Sequence, residues 1–454
     1  MSSGGKQQPK ELSESQLAAF VAGLDYDTLP EDARRLAERC FVDTVGVSYA
    51  GMMTGAGATA ADALTSVVGD GPVSLLGRDD TTSVLGGAFI NGTASHGLDF
   101  DDVSSGMSGH PSVTLVPPLL AVGEAEGASG RALLTGFVAG FETECYLAQA
   151  VSPGHYEAGW HATSTFGVFG AAAATASLLD LGADQTRHAL NSAASMAAGL
   201  KRNFGSMTKP MHVGHATRAG VTAALLAENG FTGGKGATTA EGGFTDLYSG
   251  SKPPHPEDSH SVGDSWATTT FGVGVKKYPC CYFTHTGIEA ASRLSENHGI
   301  DPADVERVRV VASQGADDAL QHEDPATGLE GKFSMHYTVA AAITRDRVGL
   351  AEFEDENVTD PAVQTVRDRV RFEVDQDLDY GSHRTSVTIT TAEDKHSLTL
   401  DAPPGTHEDP LSDEELREKF RMCVSRAADE DRVDELYRGF DSLRTVENVR
   451  DLRL

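Results

Sequence analysis

The chain has 454 residues, of which 39% are hydrophobic and 7% aromatic, and its 66 acids against 36 bases give a formal net charge of −30. Such a composition excludes a disordered chain, the length excludes one small core, and the acidity excludes nucleic-acid binding, which needs a basic footprint. The acids are dispersed through most polar segments, a surface that stays hydrated in strong salt, so the charge reads as halophilic and not as a binding signal.

Cys40, Cys145, Cys280, Cys281 and Cys423 form no C-x-x-C pair and no even framework, which points to a reducing compartment. MSSGGKQQPKELSES lacks the apolar centre of a signal peptide. No run of about 18 apolar residues is present, so a cytoplasmic protein without a membrane partner is expected.

In chain order, Ser13 caps a first helix carrying Leu17, Phe20, Val21 and Leu24, and Pro30 opens a second through Ala33, Leu36, Cys40, Phe41 and Val45. Helical patterns follow at 55–68, 83–97, 112–126, 129–150, 163–180, 185–199 and 213–229. Their Ala, Gly and Ser content predicts close helix packing, and nothing in this half alternates like a strand. After an irregular connection at 232–267 the pattern becomes mixed. Val305–Val311, Arg369–Val374, Thr385–Thr391 and Ser397–Leu400 read as strands, with helices at Thr286–His298 and Phe333–Thr344 between them. Pro403-Pro404-Gly405 closes that module, and two final helices end near Leu443. The expected fold is mainly α with an α+β second domain. Residues 1–268 begin an all-helical domain, 269–405 form an α+β lid, and 406–454 return as helices to the first domain.

Chemistry concentrates in a few blocks. NGTASHGLDFDDVSSGMSGHPS brings His96, Asp99, Asp101, Asp102 and His110 into an otherwise small and apolar stretch. His161 stands at the mouth of a small-residue helix. Residues 199–220 hold Lys201, Arg202, Lys209, His212, His215 and Arg218 without one acid. In so acidic a chain, that inversion of charge implies an anionic ligand. VKKYPCCYFTHTG, with Lys276, Lys277, Cys280, Cys281 and His285, is acid-free as well. Basic residues of this kind hold substrate carboxylates, while a histidine or carboxylate removes a proton α to one of them. Expelling a β-hydroxyl also needs an acid on the leaving oxygen, so two titratable groups must face each other.

The blocks HGLDFDD…HPS, GWHATSTFG, TKPMHVGHATRAG, KKYPCCYFTH and KFSMHY, in this order, resemble the MmgE/PrpD family of 2-methylcitrate dehydratases, cis-aconitate decarboxylases and iminodisuccinate epimerases. The resemblance implies two domains with the site between them, a homodimer, and neither metal nor organic cofactor. By position it makes Asp99, His110, His161 and Lys209 catalytic. His161 or His110 would transfer protons, Asp99 would orient one of them, and Lys209 would pair with a substrate carboxylate. Lys201, Arg202, His212, Lys277, Cys281 and His285 are the expected substrate-binding residues. Asp101 and Asp102 are expected to be structural and His96 a packed helix residue. The decarboxylase-like members carry threonine where this chain has Val103 and histidine where it has Cys281. Both departures weigh against cis-aconitate decarboxylation and leave proton transfer on a small polycarboxylate, with 2-methylcitrate dehydratase-like loss of water as the expectation. Alternatives are an epimerase, isomerase or decarboxylase, a hydrolase binding metal through His96, Asp99, Asp101, Asp102 and His110, and a carboxylate-binding protein without turnover.

Overall fold

The computed structural model describes residues 13–250, 263 and 265–454. It divides into two compact units, Met1–Gly274 with Asp413–Leu454, and Val275–Ser412.

The first unit is helical. In order come α1 (Glu14–Ala22), α2 (Glu31–Met52), α3 (Gly55–Leu64), α4 (Val84–Ser95), α5 (Ser112–Glu126) and α6 (Gly130–Val151). The single turn α7 (Gly154–Glu157) leads to α8 (Ala162–Leu178), α9 (Ala183–Ala194) and α10 (Thr208–Glu228), then the short α11 (Phe244–Tyr248) and α12 (Ala267–Thr270). Hydroxyl caps start several of them: Ser13, Thr54, Ser83 and Ser129 each accept a backbone N–H of the first turn. α8, ATSTFGVFGAAAATASL, carries no charge and is buried from Ala162 to Ala176. It packs against α5, α6, α9 and α10, as an apolar helix without a polar face must.

Small residues set the helix spacing. A Cβ on Gly214 of α10 would stand 2.2 Å from Thr93 Oγ1 and 2.4 Å from the Phe89 carbonyl oxygen of α4. A Cβ on Gly51 of α2 would stand 1.9 Å from the Ala94 carbonyl oxygen, two residues before His96. The obstacle at Gly51 is backbone and not a flexible side chain, so Gly51→Ala should destabilise the protein by about 3 kcal/mol through overpacking. The check is urea denaturation; an unchanged midpoint contradicts this account of the α2–α4 contact.

The expectation of no strand in this half needs correction. Val73–Ser74 (β1) and Thr81–Thr82 (β2) pair antiparallel. Two residues per strand are too few to show a period of two.

The second unit joins α13 (Tyr282–His298), α14 (Gln314–Ala319), α15 (Gly328–Gly331), α16 (Met335–Thr344), α17 (Asp355–Val358) and α18 (Pro361–Arg367) to β3 (Val305–Ala312), β4 (Val370–Val374), β5 (Thr385–Thr391) and β6 (Lys395–Leu400). The sheet order is β4-β3-β5-β6, with β3 and β4 parallel and the other pairs antiparallel. Val308 lies opposite Ile389 and Val310 opposite Val387, so their apolar face meets Ile288, Ala291 and Leu294 of α13 and Val339 and Ile343 of α16 in one core. Back in the first unit, α19 (Asp413–Val424) and α20 (Glu430–Asp441) pack on α2. Arg444 then ties the chain end to Glu31 and Glu38 of that helix. Among the described residues no helix is long and apolar enough to cross a membrane.

Candidate active site

α4 ends at His96, which caps its C-terminus and is buried. The chain then turns sharply, with Asp99 in the left-handed region at φ 55°, where aspartate is among the better tolerated side chains. The turn delivers Asp101, fully buried, to two histidines at once. Its Oδ2 lies 2.7 Å from His96 Nδ1 and 3.0 Å from His110 Nδ1. His110 Nδ1 is also 2.8 Å from the Asp102 carbonyl oxygen, and its backbone N–H donates to Thr163 Oγ1 at 3.2 Å. A carbonyl only accepts, so Nδ1 of His110 carries a proton, and the Asp101 carboxylate demands the same of His96. In the neutral form of either ring the lone pair is therefore at Nε2. His96 Nε2 is buried without a hydrogen-bond partner among the described residues.

His161 caps α8, its position fixed by a two-bond bridge in which its N–H donates to the Gly199 carbonyl and Lys201 N–H donates to that of Gly159. Its Nδ1 meets His212 Nδ1 of α10 at 3.0 Å, one ring donating and the other accepting. The His161 and His96 rings stack at 5.7 Å, and His96 meets His110 edge-on at 4.8 Å. Lys209, in the first turn of α10, donates to Asp99 Oδ1 at 2.7 Å, with both side chains about one-seventh exposed.

Electrostatics sort these groups. Burial alone would raise Asp101, but the pull of His96 and His110 outweighs it and holds this carboxyl well below the usual range. Burial lowers His96 from 6.5 to about 4 against the attraction of Asp101, aided by Lys209 and His110. His161 is lowered well below 6.5 by burial and by its cationic and imidazole neighbours. Asp102 faces the other way, accepting from the Ser112 N–H at 3.2 Å and from its hydroxyl, and burial together with Asp43 raises it to about 7. The His96 shift has a thermodynamic consequence, because the unfolded chain binds that proton more tightly than the folded one. The stability from keeping His96 neutral is complete above pH about 6.5 and lost as pH falls to about 4, amounting to about 3 kcal/mol. Urea denaturation at several pH values should show this loss in the parent and less of it in His96→Gln; equal slopes contradict it.

The basic block does not converge as a whole. Lys209 and His212, one helical turn apart, reach the cluster. Lys201 instead donates to the Tyr156 carbonyl at 3.0 Å and lies over the Tyr156 ring, while Arg202 is exposed on the same 3-10 turn. Lys277, Cys281 and His285 lie in the second unit. There Lys277 pairs with Glu289 at 3.2 Å, Cys281 precedes α13, and His285 is buried 3.3 Å from the Cys280 carbonyl. Val103 is pinned by backbone pairing to Gly274 in both directions.

Two expectations change. Asp99, expected to orient a histidine, is ion-paired with Lys209, and the carboxylate on His110 is Asp101. Asp101 and His96, set aside as structural, stand inside the cluster. The proposed five-ligand metal set contracts to His96, Asp101 and His110, whose donor atoms lie within 4.8 Å of one another.

The MmgE/PrpD N-terminal domain model matches residues 15–257, and the MmgE/PrpD C-terminal domain model matches 278–440. The cis-aconitate decarboxylase-like protein oryM of Aspergillus oryzae is 27% identical over 96% of both chains. The Homo sapiens cis-aconitate decarboxylase is 27% identical over 98% of this chain and 92% of its own. The mitochondrial 2-methylcitrate dehydratase of Yarrowia lipolytica is 24% identical over 76% of this chain and 69% of its own.

Proposed function

The chain belongs to the MmgE/PrpD family, and from that premise we propose that it is a lyase acting on a small di- or tricarboxylate by proton transfer α to a carboxylate. The observation that carries this reading is the Asp101-anchored histidine pair beside the Lys209–Asp99 pair. Lys209 offers its ammonium to a substrate carboxylate and to the negative charge that builds there when the α-proton leaves. His110, with Nε2 unprotonated and a side chain 14% exposed, is the base. A proton taken up there leaves its charge 3.0 Å from the ionised Asp101. His161, which burial keeps neutral, offers a ring N–H as a hydrogen-bond donor to the leaving oxygen, and the proton that turns the departing hydroxide into water is the one His110 has taken from the α-carbon. Two histidines in contrasting environments thus supply the base and the hydrogen-bond donor that elimination of water uses.

This favours loss of water from a 2-methylcitrate-like substrate; action without a metal or organic cofactor and within a homodimer is carried over from the family resemblance. The second reading, decarboxylation of a cis-aconitate-like substrate, is supported by the names of relatives that align along nearly their whole length. The experiment is a product assay at high salt, with and without EDTA, on 2-methylcitrate, citrate and cis-aconitate. EDTA-insensitive formation of the unsaturated acid supports the hydro-lyase reading. Carbon dioxide from cis-aconitate replaces it with the carboxy-lyase reading, and loss of activity with EDTA points to an ion at His96, Asp101 and His110.

A further inference from the structure

Beneath the histidines lies a second, fully buried set of charges. Asp43 of α2 and Lys419 of α19 pair at 2.6 Å, with side chains 0% and 5% exposed. The same ammonium donates to the Phe100 carbonyl at 2.8 Å and lies 4.1 Å above the Phe100 ring. Phe100 stands between Asp99 and Asp101, the two carboxylates that hold Lys209 and the histidines. Its carbonyl belongs to the planar peptide whose other end is the Asp101 N–H, so fixing that oxygen fixes how the Asp101 side chain leaves the backbone. The turn before it contains a residue at φ 55°, a conformation that a free loop adopts only part of the time. A buried lysine is a costly way to fill space, since an apolar side chain does so without desolvating two charges.

We propose that Lys419 is a positioning residue for the candidate site: through the Phe100 carbonyl it locks the Asp99–Asp101 turn so that Asp99 meets Lys209 and Asp101 meets both histidines. This rests on the reading of that cluster as the site of proton transfer. Asp43 supplies the countercharge that lets the ammonium stay buried, and it lies close enough to Asp101 and Asp102 for their charges to be felt. A segment more than three hundred residues downstream in the chain thereby sets the geometry of the DFDD block.

The test uses the full chain as Lys419→Met and as the charge-neutral pair Lys419→Met/Asp43→Asn. Histidine-selective 15N NMR reads the tautomers, and steady-state kinetics read kcat and KM separately. The parent should show His96 and His110 protonated at Nδ1. In both variants that signature should give way to mixed tautomers, with kcat at least tenfold lower and KM within threefold. A double variant with parental tautomers and kcat overturns the proposal, because the lysine would then only neutralise Asp43. A double variant that does not fold overturns it as well, in favour of a purely structural lysine. If the parent turns over no polycarboxylate, the functional reading fails while the tautomer comparison still decides the positioning claim.

Discussion

Asp101→Asn should leave the fold intact and lower turnover on the accepted polycarboxylate by about 10²–10⁴-fold, the scale seen when the carboxylate behind a catalytic histidine becomes an amide. Two Nδ1–H groups converge on one oxygen of Asp101, so an asparagine places its carbonyl there and keeps both contacts. What it loses is the charge. A proton arriving at His110 then meets a neutral amide, and the charged state of the base is no longer stabilised. The amide NH2 falls where Asp101 Oδ1 has no hydrogen-bond partner among the described residues, a second cost of about 1–3 kcal/mol to stability. The pH dependence of stability separates the two effects. The folded Asp101 carboxyl is held well below its unfolded range, so its contribution is present above the unfolded value of 3.8 and disappears as pH falls through the folded one. The Asn variant should be weaker than the parent at pH 7 and approach it in acid. Unchanged kcat would remove Asp101 from the mechanism.

Lys209→Met should lower kcat/KM by about 10²–10³-fold, through KM and kcat together, the range for truncating one partner of a poorly solvated ion pair that meets an anionic ligand. The substitution does more than delete an ammonium. Asp99, 16% exposed and 2.7 Å from Lys209 Nζ, loses that partner and presents a negative charge to an incoming carboxylate. Lys209→Met/Asp99→Asn should therefore bind better than Lys209→Met alone, a coupling that a double-mutant cycle reads directly. Raising the salt should weaken substrate binding to the parent more than to either variant. Kinetics of Lys209→Met equal to the parent's would place carboxylate recognition elsewhere.

The helical half was legible because its small, uncharged segments leave few other structures open. ATSTFGVFGAAAATASL becomes the buried helix α8, and the four strands of the second unit appear where β-branched residues cluster. The hairpin of β1 and β2 was invisible because two residues have no periodicity. Block-level chemistry was legible too, since a basic segment without acids in so acidic a chain needs a cause. Which members of a block converge was not. Lys209 and Asp99 are 110 positions apart, and only the fold says that Lys209 and His212 turn inward while Lys201 turns to Tyr156. Which of the three aspartates lies against the histidines was not legible for a local reason. Asp99 sits in a left-handed turn, so side-chain directions in LDFDD follow neither a helical nor an extended alternation, and the buried acceptor proved to be Asp101.

The most direct measurement is deuterium wash-in by proton NMR, with the parent and Asp101→Asn incubated in D2O at high salt with 2-methylcitrate, citrate, cis-aconitate and iminodisuccinate. It sees abstraction at the α-carbon even when net turnover is slow. Incorporation into at least one of these acids by the parent is expected, with a loss of about 10²-fold or more in the Asn variant. Exchange at equal rates in the two proteins, or none with any of the four, contradicts proton transfer at the Asp101-anchored histidines.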